Sequence, residues 1–310
     1  MYKNLLKTMR NFAVDCCRYV KYSGAVSHSD IASVRAEIMM DCHRIEKGLA
    51  LPAPRFQYGI DVFNRLRANV LAGKVNDEYV SKWLKSVVDS YQIYHENNDQ
   101  KPAGVAVSLS ELINFDHNYL DVDDGSGGIM NVDAVSDVGD FDSLAKSRHS
   151  VRNFSDSPVD ASVIRSAVDT ARYSPSVCNR QAWRVHHVKN ENDRRRCLEI
   201  QGGCSGFVDS IPELLIVTYD LRYFLTPAER YQGWFDSGLF AMSLVYALTD
   251  LGLGTCFLNW SVDPSRDKAL RNVYAIPNEQ NVAVLIAVGN VKKQYSVAKS
   301  PMISVDEVLC

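Results

Sequence analysis

Apolar residues at Ile31, Val34, Ile38, Ile45 and Leu49 recur mostly at helical intervals, with polar positions between them. Ser27-His28-Ser29-Asp30 ahead of them supplies a Ser-x-x-Asp capping signal, and Gly48 with Pro52 marks the stop. A second helical pattern runs from Gly59 through Leu71, and a third from Asn76 to Tyr94. Leu109 to Ile113 suits either a turn of helix or a short strand. Residues 1–120 therefore read as a helical region. After Phe154 the pattern changes to helices alternating with strands. Pro158 and Asp160 precede a helix through Val163, Ile164, Ala167, Val168 and Ala171, which Ser174-Pro175 stops. Trp183–Val188, Glu213–Tyr219, Thr255–Leu258 and Val282–Val288 read as strands, the second and fourth apolar enough for burial. Phe235 to Leu251 is a long apolar helix that Gly252 ends.

Between these regions, residues 121–145 are acidic and Gly-rich, beginning Asp121-Val122-Asp123-Asp124-Gly125-Ser126-Gly127-Gly128, and read as a linker. A calcium loop is the sharper alternative, but its spacing fails, because Gly125 holds the fifth position and Ser126 the sixth. The expected organisation is thus 1–120 helical, 121–145 linker and 146–310 a second domain.

Composition narrows the class. At 310 residues with 46% hydrophobic content, the chain can fill one large core or two ordinary ones. Its net charge of −3 gives no global reason to expect nucleic-acid or acidic-membrane binding. The eight cysteines are scattered without a Cys-x-x-Cys pair, so reduced thiols in a cytoplasmic protein are the simplest expectation. Asp15, Arg18 and Lys21 interrupt the N-terminal stretch, which supports neither a signal peptide nor a membrane span.

Two segments concentrate the candidate chemistry. Lys146-Ser147-Arg148-His149-Ser150-Val151-Arg152-Asn153-Phe154 brings together guanidiniums, an imidazole and hydroxyls, the donor set that holds a phosphate. Ser174-Pro175-Ser176-Val177-Cys178-Asn179-Arg180-Gln181-Ala182-Trp183 is rich in turn residues, and its amides can read the donor–acceptor edge of a heterocycle. Each has a plainer reading. The first can be a solvated helix cap, and the amides of the second can merely satisfy nearby backbone groups.

In combination and order the two segments resemble the FMN-binding signature of the nitroreductase family. Gly252-Leu253-Gly254-Thr255-Cys256-Phe257-Leu258-Asn259-Trp260 agrees, as do Ala298-Lys299-Ser300-Pro301 and the run from Val305 to Leu309. The resemblance covers Lys146 to Cys310. It implies an α+β fold, a central sheet flanked by helices, preceded here by the mainly helical region. It implies FMN as cofactor, with NADH or NADPH as co-substrate and a homodimer as the assembly. Arg148, His149 and Ser150 would sit at the FMN phosphate, with Lys299 approaching from the C-terminal segment. Arg152 would face the N1 and C2-carbonyl region. Pro175 and Ser176 would pack against the ring, Asn179 and Gln181 would read the pyrimidine edge, and Asn259 and Trp260 would reach N5 and O4.

Two residues depart from the family pattern. Trp260 stands where relatives commonly have Gly, so its indole could narrow the pocket or stack on a substrate; Pro301 replaces a common basic residue. The activity implied is hydride transfer from NAD(P)H to an electron-poor acceptor of nitroaromatic or quinone type, with no obligatory catalytic side chain and no metal. The alternatives are an FMN-dependent tailoring dehydrogenase of a specific metabolite and a non-catalytic flavin-binding interaction protein. Elsewhere, Asp41-Cys42-His43-Arg44-Ile45-Glu46-Lys47 reads as a charged, solvated helix face. His186 and His187, adjacent in a strand, would point to opposite faces.

Overall fold

The computed structural model describes residues 3, 5, 6, 8, 9, 12, 13, 31–75, 78–115, 127–133, 140–177, 181–220, 229–262, 264–278 and 280–310. The chain divides into two compact units, one of Met1–Asn11 with Val132–Tyr295 and the other of Phe12–Asn131 with Ser296–Cys310. Among the described residues no helix is long and apolar enough to cross a membrane.

The unit that ends with the C-terminal segment is built on α1 (Ile31–Leu49), α2 (Ile60–Leu71), α3 (Glu78–Asn97) and α4 (Gly104–Phe115). All three expected helices form, and the ambiguous stretch around Leu109 is helix. The capping residues before Ile31 lie outside the described residues. The core gathers Ile38, Ile45, Phe63, Leu66, Leu84, Val87 and Leu109 around Tyr91, whose ring meets Phe63 edge-on at 4.6 Å. Burying a side chain of that size contributes about 2–3 kcal/mol.

One expectation is corrected here. The segment Asp41–Lys47 is not a solvated face, since Asp41, Cys42 and Glu46 are all fully buried. Asp41 accepts from Arg65 Nη2 at 2.8 Å and Nε at 2.9 Å, and from Arg44 Nη1 at 2.9 Å. Glu46 accepts from Trp83 Nε1 at 2.6 Å, the Gly128 N–H at 3.0 Å and Ser300 Oγ at 2.7 Å. His43 Nδ1 lies 2.9 Å from the same Ser300 hydroxyl. Partners remote in sequence make burial of these carboxylates tolerable, and periodicity within one helix carries no trace of them.

The expected linker is also partly ordered. β1 (Ile129–Asp133) pairs with β6 (Gln294–Ala298), and Ser296 Oγ bonds Asn131 Oδ1 at 2.7 Å. α5 (Phe141–Ser147) starts inside the stretch expected to be linker, because Asp140 caps it by accepting from the Ser143 N–H at 2.8 Å. Residues 116–126, with the rejected calcium loop, lie outside the described residues.

The sheet-bearing unit holds α6 (Ala161–Ala171), β2 (Trp183–His187), α7 (Glu191–Gln201), β3 (Glu213–Asp220), α8 (Gln232–Asp250), β4 (Leu253–Asn259), α9 (Pro264–Val273) and β5 (Gln280–Asn290). The short α10 (Val305–Val308) belongs to the other unit. The four strands run in the order β2-β3-β5-β4, every neighbour antiparallel. All strand and helix types match the expectation from the pattern. α9 and β6 were not foreseen, α9 because it is short on apolar residues and β6 because it spans only five residues. α8 supplies Phe240, Ala241, Leu244, Val245 and Leu248 to a core shared with Leu215, Val217, Ile286 and Val288 of the sheet. Phe240 stacks on Trp183 at 5.0 Å with 16° between the rings. His186 and His187 separate as expected, the first to Gln280 Oε1 at 2.7 Å and the second to Glu213 Oε2 at 2.6 Å.

Candidate functional site

The segment that follows α5 is stitched along β4. The Arg148 N–H still bonds Leu144 O at 3.1 Å, closing the helix, after which Ser150 forms a parallel bridge with Thr255. The Val151 N–H reaches Thr255 O at 2.8 Å, and Phe154 bridges Val291 just beyond β5. Gly254 makes the close approach possible. A Cβ there would stand 2.7 Å from Val291 Cγ1 and 3.0 Å from Val151 Cγ2.

His149 and Val151 line a small cavity of about 30 Å³ with Ser147, Thr249, Gly254 and Tyr295 among its walls, room for about one water. Burial there, and then the charge of Arg148 beside it, holds the His149 imidazole below its ordinary value of 6.5. Arg152 is not among those walls. Its side chain is 5% exposed, with Nη1 donating to Ser150 O at 3.3 Å. Its Nε has no partner among the described residues, and neither do the buried Asn153 Oδ1 and Ser237 Oγ.

α6 delivers the chain to the second motif. Ser174 Oγ donates to Ala171 O at 2.7 Å and ends the helix, leaving Pro175 exposed and Ser176 half-buried. Asp236, buried on α8, accepts from the Val177 N–H at 3.2 Å and from Gln232 Nε2 at 2.7 Å. The Gln181 N–H donates to Ser176 Oγ at 3.0 Å, with Gln181 itself exposed at a positive φ of 50°. Cys178, Asn179 and Arg180 lie outside the described residues, so the proposed edge contact of Asn179 lies there too.

At the C-terminal end of β4, Asn259 is exposed and Trp260 buried. The indole is turned inward and donates to Asp267 Oδ1 on α9 at 3.1 Å, so the expectation that it narrows a pocket or stacks on a substrate gives way to a bracing role. Its backbone N–H remains the candidate contact. Lys299 belongs to the other unit, where its N–H bonds Gly128 O at 2.9 Å.

Three residues of this region escaped the sequence reading. Asp236 left a signal, a carboxylate inside the apolar stretch Trp234-Phe235-Asp236-Ser237-Gly238-Leu239. Asp267 and Gln201, which contact Trp260 and Asn259, sit in polar helices and left none.

Comparison with known proteins converges on the same segments. The profile of the nitroreductase family matches residues 145–205. No curated protein sequence matches the chain. Among solved structures, a Staphylococcus epidermidis protein named as an NAD(P)H:FMN oxidoreductase superposes with a TM-score of 0.50 at 18% identity, over 56% of this chain and 97% of its own. A nitroreductase family protein of Streptococcus pneumoniae is 26% identical over 55% of this chain and 99% of its own, with a TM-score of 0.46. The matched segment lies in the sheet-bearing unit, which is similar to the nitroreductase family over residues 145–205 and shares the α+β fold of the S. epidermidis protein.

Proposed function

We propose that the protein is an FMN-dependent oxidoreductase that uses NADH or NADPH to reduce an electron-poor small molecule of nitroaromatic or quinone type. The observation that carries this reading is Arg152. A guanidinium with 5% exposure and an Nε lacking any described partner is unfavourable unless something electron-rich meets it. The N1 and C2-carbonyl edge of a flavin is such a group, and the family relationship makes FMN the expected one. The S. epidermidis protein with the shared fold is named for NAD(P)H and FMN, and a nitroreductase of Exiguobacterium sibiricum, at a TM-score of 0.49, was solved in complex with FMN.

In this reading Arg148 and Ser150 hold the phosphate. His149 contributes a ring-nitrogen contact there, and Arg148 supplies the fixed positive charge. Pro175 and Ser176 pack against the ring, Asn179 and Gln181 meet the pyrimidine edge, and the backbone at Asn259–Trp260 faces the reactive end. Lys299 is carried by the other unit and stands outside this geometric argument. When bound, FMN supplies the hydride-accepting and hydride-donating chemistry at N5. Arg152 acts by holding a fixed positive charge where negative charge accumulates on reduction, without reorganising as it does so.

A homodimer is part of the proposal. Trp234 and Phe235, at the start of α8, are 47% and 63% exposed, and Tyr231 precedes them, an apolar group suited to a partner surface. The proposed setting is the cytoplasm, in keeping with the buried free thiols Cys42, Cys197, Cys204 and Cys256.

The deciding experiment is an absorbance spectrum of the purified protein, with identification of the released chromophore, followed by anaerobic mixing with NADH and NADPH. Flavin bands that bleach on mixing are expected. Protein that is colourless and remains so after incubation with excess FMN overturns the proposal.

A further inference from the structure

Gln201, the last residue of α7, is 5% exposed and its amide is used at both ends. Oε1 accepts from the Gly203 N–H at 2.7 Å, while Nε2 donates to the Asn259 carbonyl at 3.1 Å and to Asn259 Oδ1 at 3.4 Å. These partners settle which end is which, since an N–H can only donate and a backbone carbonyl can only accept. Gly202 turns the chain at a φ of 76°, and Arg266 Nη1 donates to Gln201 O at 3.3 Å. The indole of Trp260, anchored on Asp267 at 3.1 Å, fixes the other end of the same dipeptide.

The consequence follows from peptide geometry. The Asn259 carbonyl and the Trp260 N–H belong to one rigid, planar, trans unit and point in opposite directions. A donor that fixes the direction of the carbonyl therefore fixes the direction of the N–H. Gln201 touches neither of the two cofactor motifs recognised in the sequence, yet it holds the peptide plane that ends β4.

We propose that Gln201 is a positioning residue that aims the Trp260 backbone N–H at the reactive end of the flavin. This rests on the FMN reading above and assigns the orientation of its N5 contact to a side chain on a different helix. Gln201→Glu separates the two ends of the amide. It keeps an acceptor for the Gly203 N–H, but removes the donor to Asn259 and sets a carboxylate against two oxygens. Gln201→Met keeps the volume and removes both ends. Arg266→Ala, which removes a bond to the same helix end without touching the Asn259 peptide, is the structural control.

The test uses the full chain saturated with FMN, with flavin reduction by NADH followed in anaerobic stopped-flow at equal flavin content. The Trp260 amide resonance is followed in parallel during an FMN titration of labelled apoprotein. Gln201→Glu is expected to slow reduction about tenfold, on the scale of losing one preorganised donor or less, and to displace the Trp260 amide resonance before FMN is added. Arg266→Ala is expected to lower the melting temperature with the rate retained. Wild-type reduction and an unmoved Trp260 amide in Gln201→Glu overturn the proposal. Should neither Gln201 variant fold, the wild-type titration decides, because a Trp260 amide indifferent to saturating FMN overturns it as well. A wild-type protein that binds no FMN defeats the functional reading instead, and is recognised by that separate result.

Discussion

Trp83 Nε1 donates to Glu46 Oε1 at 2.6 Å across a fully buried interface between α1 and α3. The same carboxylate accepts from the Gly128 N–H and from Ser300 Oγ, so one side chain ties two helices to the chain on either side of the sheet-bearing unit's sequence. Glu46→Ala would remove the buried acceptor that these donors share. The expected loss is about 3 kcal/mol or more, read as a lower denaturant midpoint. Glu46→Gln should lose less, because its remaining carbonyl can serve Trp83 and the Ser300 hydroxyl can rotate to accept from the new amide. Equal losses in the two variants would contradict this account.

Arg152 is expected to tune the cofactor more than to retain it. In Arg152→Ala the phosphate contacts proposed for Arg148 and Ser150 remain, so FMN should still bind. The midpoint potential should fall by ~30–60 mV, corresponding to the loss of one charge-assisted interaction in a two-electron couple. Arg152→Lys should fall between the two, since a point charge replaces the planar fork. Spectroelectrochemistry that finds no change in Arg152→Ala with FMN bound would remove Arg152 from the flavin.

His149 gives the stability of the FMN-free protein a pH dependence of definite sign. Its folded-state value is depressed below 6.5, by burial first and by Arg148 second. Below 6.5 the unfolded chain takes up a proton that the folded chain resists, so stability is complete above that pH and declines as the pH falls through the depressed value. The melting temperature should therefore drop on acidification from neutrality, and His149→Asn should flatten that part of the profile. An identical profile in the variant would show that other groups carry it.

Gly254 lies where the first motif packs on β4. A methyl group there would meet Val291 at 2.7 Å and Val151 at 3.0 Å, and Val151 directly precedes Arg152. Gly254→Ala should destabilise the protein by about 1–3 kcal/mol and weaken FMN binding with it. Retention of both the melting temperature and the FMN affinity would mean that the strands separate freely at this point.

Periodicity and turn chemistry are local properties, and they were enough to place α1 to α3, α6, α8 and the four strands of the antiparallel sheet. The order Arg148-His149-Ser150-Val151-Arg152, then Ser174 to Trp183, was likewise enough to reach the resemblance to the nitroreductase family, because charge, hydroxyl and amide groups there follow directly from residue type. Tertiary structure alone decided which polar side chains are buried. Asp41 and Glu46 look solvated from within their helix, and Arg65, Trp83, Gly128 and Ser300, distant in the chain, make their burial tolerable. It also decided that the indole of Trp260 turns inward to Asp267, and that Gln201 grips the peptide ending β4. Hydrogen bonds between segments far apart in sequence depend on where the folded backbone brings them, and no spacing rule within one segment encodes that.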